Sequence, residues 1–254
     1  MTSHETRALQ ALRSTVRAMF GPDVVAHDLA HLERVERNAA RLLEVEPGDP
    51  FVVSAACLLH DLHRILERDR GHHVAPEQAD AEVRRLLDAL AVDPETIERV
   101  CACIVATERY RCAGDAIDGA AMSAEQRIVR DADMLDALGA VGIARAMMFG
   151  GHLGEPLWVD EAIGERFQHG RTASIVHHFH EKLLHLHEEM LTAEGRRIAL
   201  QRTRLMRDYL EALRPGTRGR VVPARRRRTM RKGFACPTRR CAMPSTINWR
   251  PGTT

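Results

Sequence analysis

The sequence predicts an all-α protein: one helical bundle over residues 1–214, followed by a basic, disordered tail over 215–254. Three observations predict it. Apolar residues recur at helical spacing along nearly all of the bundle region, and no strand-like alternation of useful length occurs. Helix-opening devices repeat: Asp49-Pro50 and Asp93-Pro94 each set a capping carboxylate before a proline, and Ser123-Ala-Glu-Gln126 reads as a capping box. Aromatic residues make up only 4% of the chain against 44% hydrophobic residues, an aliphatic and alanine-rich balance that suits packed helices better than a β-sandwich.

Taken in order, a first helix covers about 3–20 and stops at Gly21-Pro22. A second runs about 27–45, with Leu29, Leu32, Val35, Ala39, Leu42 and Leu43 on one face, and ends before Pro47-Gly48. Asp49-Pro50 opens a third, expected to end after His63 and give way to a charged loop, Glu67 to His73. Pro76 starts a fourth, to about Leu90, and Asp93-Pro94 a fifth carrying Ile97, Val100, Cys101, Ile104 and Val105. After a polar loop over 111–122, the Ser123 box introduces one helix expected to reach Met148 and end at Gly150-Gly151. A loop over 149–170 leads to two last helices, about 171–190 and 194–213, closed by Pro215.

Charge is divided unevenly. The net charge of +2 hides a tail, Pro215–Thr254, with 11 of the 37 Lys and Arg and no Asp or Glu, so residues 1–214 carry 26 basic against 35 acidic side chains. The Arg225–Arg228 run, scattered prolines and missing acids read as disorder. With only Phe234 and Trp249 as aromatics, the tail lacks a base-stacking platform, so nucleic-acid binding is not expected except through the tail's charge. No segment reaches the roughly 18 consecutive apolar residues that span a bilayer, and no secretory signal is visible at the N-terminus. Cys57, Cys101 and Cys103 lie in apolar helical stretches, as reduced core cysteines do. The reading is a cytoplasmic protein with no membrane partner; any helix face could pair two copies, so a homo-oligomer stays open.

The chemistry concentrates at His60-Asp61, which ends the oily run Phe51-Val-Val-Ser-Ala-Ala-Cys-Leu-Leu59. A buried carboxylate beside a buried imidazole costs several kcal/mol unless something satisfies both. A divalent metal does so. Upstream, His27 and His31 are four residues apart and can look at one point; downstream lies Asp131-Ala-Asp133-Met-Leu-Asp136. Imidazole and carboxylate ligands together suit Mn, Fe, Co, Ni or Zn better than calcium and tolerate magnesium. About four protein ligands in an octahedral shell leave roughly two positions for water and a phosphate oxygen. Helical geometry alone does not choose between Asp131 and Asp133 as the last ligand.

The order His … His-Asp … Asp on successive helices resembles the HD-domain metal-dependent phosphohydrolases. The stretches His27–Val35, Ala55–Asp61, Ile128–Arg145, Phe149-Gly-Gly and His178–Met190 resemble a small bacterial, nucleotide-hydrolysing branch of that superfamily, over about residues 20–213. The resemblance implies a single HD-type bundle with His31, His60, Asp61 and Asp133 as metal ligands, the last because the ligand aspartate precedes a hydrophobic residue and Leu-Asp-Ala. Asp131 then orients a ligand or caps locally. Relatives of this branch include pyrophosphohydrolases of nucleoside triphosphates that use manganese, so manganese is expected first, with Mg, Co, Ni or Fe as alternatives.

The expected function is hydrolysis of a small phosphorylated metabolite, foremost a nucleotide, by metal-activated water, with Asp61 and His60 as catalytic residues. His27, His72, Arg145 and Lys182 are candidate substrate contacts, with His73 in reserve. Arg145 and Lys182 could equally be internal salt bridges, and His63 a helper of the ligands or a polar helix end. One departure matters: where relatives often carry His-His-Ser, this chain reads Ala106-Thr107-Glu108-Arg109-Tyr110, which passes the substrate or second-metal role to Glu108 or removes it. Two rival functions follow, a non-catalytic nucleotide- or metal-sensing module and an HD-type di-iron oxygenase.

Overall fold

The computed structural model describes residues 1–20, 27–72, 74–109, 117–164 and 172–213. The chain divides into a compact unit, Met1–Arg218, and a second, Gly219–Thr254, which lies outside the described residues, as does the tail expected to be disordered. Within the first unit the described residues form eleven α-helices and no strand: α1 (Ser3–Met19), α2 (Leu29–Leu43), α3 (Pro50–Leu59), α4 (Leu62–Arg70), α5 (Asp80–Asp88), α6 (Pro94–Thr107), α7 (Ala124–Asp136), α8 (Gly139–His152), α9 (Ile175–Glu181), α10 (Leu186–Glu189) and α11 (Ala193–Leu213). Short 3-10 turns lie over Pro76–Ala79 and Leu183–His185. The all-α expectation holds.

Capping chemistry explains most of the starts. Asp28, Asp49, Asp93 and Ser123 each accept a hydrogen bond from a backbone N–H of the first turn that follows, and Ser123 with Gln126 completes the capping box. Helix α3 is the axis of the bundle. Eight of its ten residues are buried, and it packs against α1, α2, α6 and α7, which matches its unbroken apolar sequence. Helix α7 lies against α2, α3 and α6 and carries the acidic cluster into the interior.

Three expected helices are divided. The run over 50–63 breaks at Asp61, whose φ of −95° and ψ of 13° leave the α region, so His60-Asp61 sits at a corner rather than within one helix. The expected charged loop after it is instead α4: Leu62, His63 and Ile65 are buried on one face, the charges take the other, and Gly71 at φ 70° closes the end. The helix expected over 124–148 turns by 67° between α7 and α8. Gly139 takes φ 74° there, and a Cβ on Gly142 would sit 2.1 Å from the Ala137 carbonyl oxygen. The segment over 171–190 becomes α9, a 3-10 turn and α10. No single helix is long and apolar enough to cross a membrane.

A buried polar strap ties α7 to the α10–α11 connection. Arg130, with no exposed surface, donates to the Glu189 carbonyl (2.8 Å), the Glu189 carboxylate (2.9 Å) and the Arg109 carbonyl (3.0 and 3.2 Å). Asp131 accepts from the Leu191 and Thr192 amides and from the Thr192 hydroxyl, the last two at 2.7 Å. Every one of these buried charges therefore has partners, as such groups require.

Candidate metal centre and pocket

Three helical junctions meet where the motifs converge. His31 stands in the first turn of α2, held there because Asp28 accepts its backbone N–H at 2.7 Å. His60 and Asp61 occupy the α3–α4 corner, and Asp133 lies one turn before the end of α7. The His31 Nε2 and His60 Nε2 atoms are 3.2 Å apart. His31 Nε2 is 3.2 Å from Asp61 Oδ2 and 3.4 Å from Asp133 Oδ1; His60 Nε2 is 3.4 and 3.6 Å from the same two oxygens. Ligands around one cation at about 2.1 Å stand about 3.0 Å apart in an octahedral shell and about 3.4 Å apart in a tetrahedral one. The four side chains are thus spaced as ligands of a single ion.

The tautomers agree with that spacing. His31 Nδ1 donates to Asp136 Oδ2 at 2.7 Å, and His60 Nδ1 donates to the Cys57 carbonyl at 3.0 Å. Both Nε2 atoms are left as the coordinating lone pairs, and they face each other inside the protein. Two buried lone pairs 3.2 Å apart need a proton or a cation between them. Accordingly, although burial alone would lower it, His60 is raised to about 9 by the Asp61 and Asp133 carboxylates. Burial likewise opposes ionisation of Asp61 and Asp133. It is overcome by His27 and His60 at the first and by His60 at the second, leaving both carboxyls below their ordinary range.

Asp136 is the residue sequence reasoning missed. It is 2% exposed and accepts from His31, twice from Arg34 (2.7 and 3.0 Å) and from Arg145 Nη1 (3.1 Å). The orienting part expected of Asp131 falls to Asp136, because Asp131 is committed to the Leu191–Thr192 backbone. The available signal was position: Asp136 lies three residues, one helical turn, after Asp133.

The other candidates separate clearly. His27 precedes α2 rather than belonging to it, since Asp28 is the cap; its Nδ1 still reaches Asp61 Oδ2 at 2.7 Å. Arg145 and Lys182 line a pocket of about 330 Å³ that opens onto Asp133 and His27. Arg145 does so while paired with Asp136, so both of its readings hold at once. Arg64 and His178 also line this pocket, and Met134, Phe149, Ile175, Leu183 and Leu186 give it an apolar wall. Burial, with help from Lys182, lowers His178 to about 4. His72 is not brought to the pocket: it is exposed, with Nδ1 donating to the Arg70 carbonyl at 3.2 Å, and His73 lies outside the described residues.

Glu108 caps the end of α6, 3.5 Å from His63 Nε2. His63 is 1% exposed; its Nδ1 donates to the His60 carbonyl at 3.1 Å, and burial lowers its pKa to about 4. Burial raises Glu108 above the usual carboxylate range.

Comparison with known proteins agrees with this geometry. Residues 28–138 match the HD domain model. The Bacillus subtilis protein YpgQ is 32% identical over 212 residues, covering 82% of this chain and 93% of that protein. Its crystal structure in complex with ADP superposes with a TM-score of 0.64, covering 84% of this chain and 98% of that one. A Lactobacillus plantarum structure, 28% identical, gives a TM-score of 0.69 over 84% of this chain and 96% of its own. An HD-superfamily hydrolase from Bacillus thuringiensis, 29% identical, gives 0.63 over 82% and 96%.

Proposed function

Because this chain belongs to the HD-domain family, we propose that it is a metal-dependent phosphohydrolase of a small nucleotide, foremost a pyrophosphohydrolase of nucleoside triphosphates. The observation that carries the reading is one juxtaposition. Two imidazole nitrogens and two carboxylate oxygens stand 3.2–3.6 Å apart, at the mouth of a pocket with cations along it and an apolar wall. A volume of about 330 Å³ suits a small ligand, and the ADP bound by YpgQ supports a nucleotide.

His31, His60, Asp61 and Asp133 would hold the ion, with manganese first and Mg, Co, Ni or Fe as alternatives. When bound, it supplies a Lewis acid for a phosphoryl oxygen and a water of lowered pKa. The rest is done by the chain itself. Asp136 and the Cys57 carbonyl fix the two imidazoles so that their Nε2 atoms remain available. Asp61 Oδ2 accepts the Nδ1–H of His27, leaving His27 Nε2 as that ring's proton acceptor beside the pocket. Arg64, Arg145 and Lys182 bring positive charge to the phosphates, and Phe149, Met134 and Ile175 offer surface to a base. Positioning and charge are what phosphoryl transfer chiefly needs, so no serine or cysteine nucleophile is required.

The test is a screen of nucleotides and sugar phosphates with Mn, Mg, Co and Ni, following both phosphate and pyrophosphate release. Turnover of a nucleotide that Asp61→Ala abolishes is expected. No hydrolysis of any phosphorylated compound with any of the four metals would overturn the proposal.

A further inference from the structure

Beside the four-ligand cluster lies a second set of donors that the reading above does not use. Asp61, His63 and Glu108 each offer one ligand atom, and the three atoms lie within 4.8 Å of one another. Two of these residues come from the α3–α4 corner and one from the end of α6, so the set spans a junction. His63 is almost completely buried, and its Nε2 has no hydrogen-bond partner among the described residues. Its Nδ1 is spent on the His60 carbonyl, which leaves Nε2 as a lone pair. The atom opposite, 3.5 Å away, is Glu108 Oε1, another lone-pair donor. Two acceptors aimed at each other with nothing between them is a costly arrangement for a buried nitrogen. A cation removes the cost. One imidazole nitrogen and two carboxylate oxygens are a donor set for a manganese-like divalent ion.

We propose that Asp61, His63 and Glu108 form a second divalent-cation site, with Asp61 shared between it and the His31–His60–Asp133 site. The inference rests on reading that first cluster as a metal centre. A carboxylate has two oxygens and can serve two ions at once, and hydrolytic enzymes of phosphate esters commonly hold paired ions about 3.5–4 Å apart across such a bridge. The surroundings suit the phosphate that paired ions would take. Arg64 follows His63 directly, lines the pocket, and has a buried Nε with no hydrogen-bond partner among the described residues. A phosphate oxygen held by the second ion would find that N–H beside it. Glu108 thereby gains a function in this chain that the Thr107-Glu108-Arg109 sequence only hinted at.

The experiment uses the full chain and manganese alone. Stripped protein is titrated with Mn²⁺ by calorimetry, bound metal is counted after gel filtration, and the electron paramagnetic resonance spectrum is recorded at each stage. Two ions per chain are expected, the weaker one distorting the six-line signal of the first through magnetic coupling. Glu108→Gln, at a half-exposed position, should weaken the second ion by about tenfold or more, since even residues behind the ligands are worth 10–100-fold. The first ion should keep its affinity. His63→Gln should do the same, and circular dichroism of both variants checks that the fold is kept. Saturation at one ion in the wild-type protein at millimolar Mn²⁺ would overturn the proposal, as would an unchanged second ion in a folded Glu108→Gln. Two ions without any nucleotide hydrolysis would sink the hydrolase reading and leave this site standing; hydrolysis with a single ion would do the reverse.

Discussion

Replacing Asp136 with asparagine tests the site through a residue that need touch neither metal nor substrate. The carboxylate receives four hydrogen bonds, from His31 Nδ1, Arg34 Nε, Arg34 Nη2 and Arg145 Nη1, at 2.7–3.1 Å. An amide keeps one acceptor oxygen and turns two N–H groups toward donors. Breaking a fully buried ion pair costs about 3–5 kcal/mol. Here the Arg34 and Arg145 side chains keep 25% and 16% exposure, so water recovers part of that and about 2–3 kcal/mol is expected. For a domain of this size the loss lowers Tm by roughly 4–12 °C. The His31 ring also loses the acceptor that fixes its tautomer, and manganese affinity should fall about 10–100-fold. Thermal unfolding and Mn²⁺ titration read the two effects separately. Asp131→Asn is the control: it removes acceptors for Leu191 and Thr192 and should destabilise comparably, yet leave metal affinity within about twofold. Equal loss of metal affinity in both variants, or none in Asp136→Asn, would refute the assignment of Asp136 as the orienting residue.

Other expectations follow from single contacts. Gly142→Ala would gain helix propensity at an ordinary site, but its Cβ meets the Ala137 carbonyl at 2.1 Å; a net loss of about 1–3 kcal/mol in urea unfolding is expected, and a gain would contradict the corner geometry. His178, lowered to about 4 by burial and Lys182, makes stability pH-dependent, because the unfolded chain takes up the proton first, near 6.5. Its contribution is complete above pH 6.5 and is lost as pH falls toward 4, by at most about 3 kcal/mol and less where water reaches the ring. Urea midpoints at pH 7 and 4.5 should therefore differ less in His178→Gln than in wild type. Lys182→Met should raise the KM for the best nucleotide about tenfold with a smaller change in kcat, if its charge binds phosphate in ground and transition states alike; an unchanged KM would remove it from the pocket's function.

Much of this molecule was legible because its signals are local. The Asp-Pro caps and the Ser123 box act within one turn, and the structure keeps their starts at Pro50, Pro94 and Ala124. His60-Asp61 was conspicuous because two polar residues closed an otherwise apolar run, and the structure brings that pair together with His31 and Asp133. The missed features depend on what a segment meets across the fold. Nothing local breaks the helix at Asp61; the corner forms where Leu62 and Ile65 turn back onto the core. The α7–α8 bend needs Gly139 and Gly142, whose role appears only once the Ala137 carbonyl is beside them. Asp136 looked like one acid among three because its partners, His31 and Arg34, are more than a hundred residues away. The charged stretch Glu67–Arg70 read as loop because its exposed face is all that composition reports.

The strap between α7 and the α10–α11 connection has a consequence for how specificity can change. Arg130 and Asp131 precede Asp133 on the same helix, and their grip on Glu189, Leu191 and Thr192 fixes the chain just beyond Leu183 and Leu186. The wall that would judge the base is therefore yoked to the rod that presents the aspartate. Exchanges along that wall can retune which molecule is accepted without shifting the ion's seat, whereas severing the yoke would loosen recognition and chemistry together.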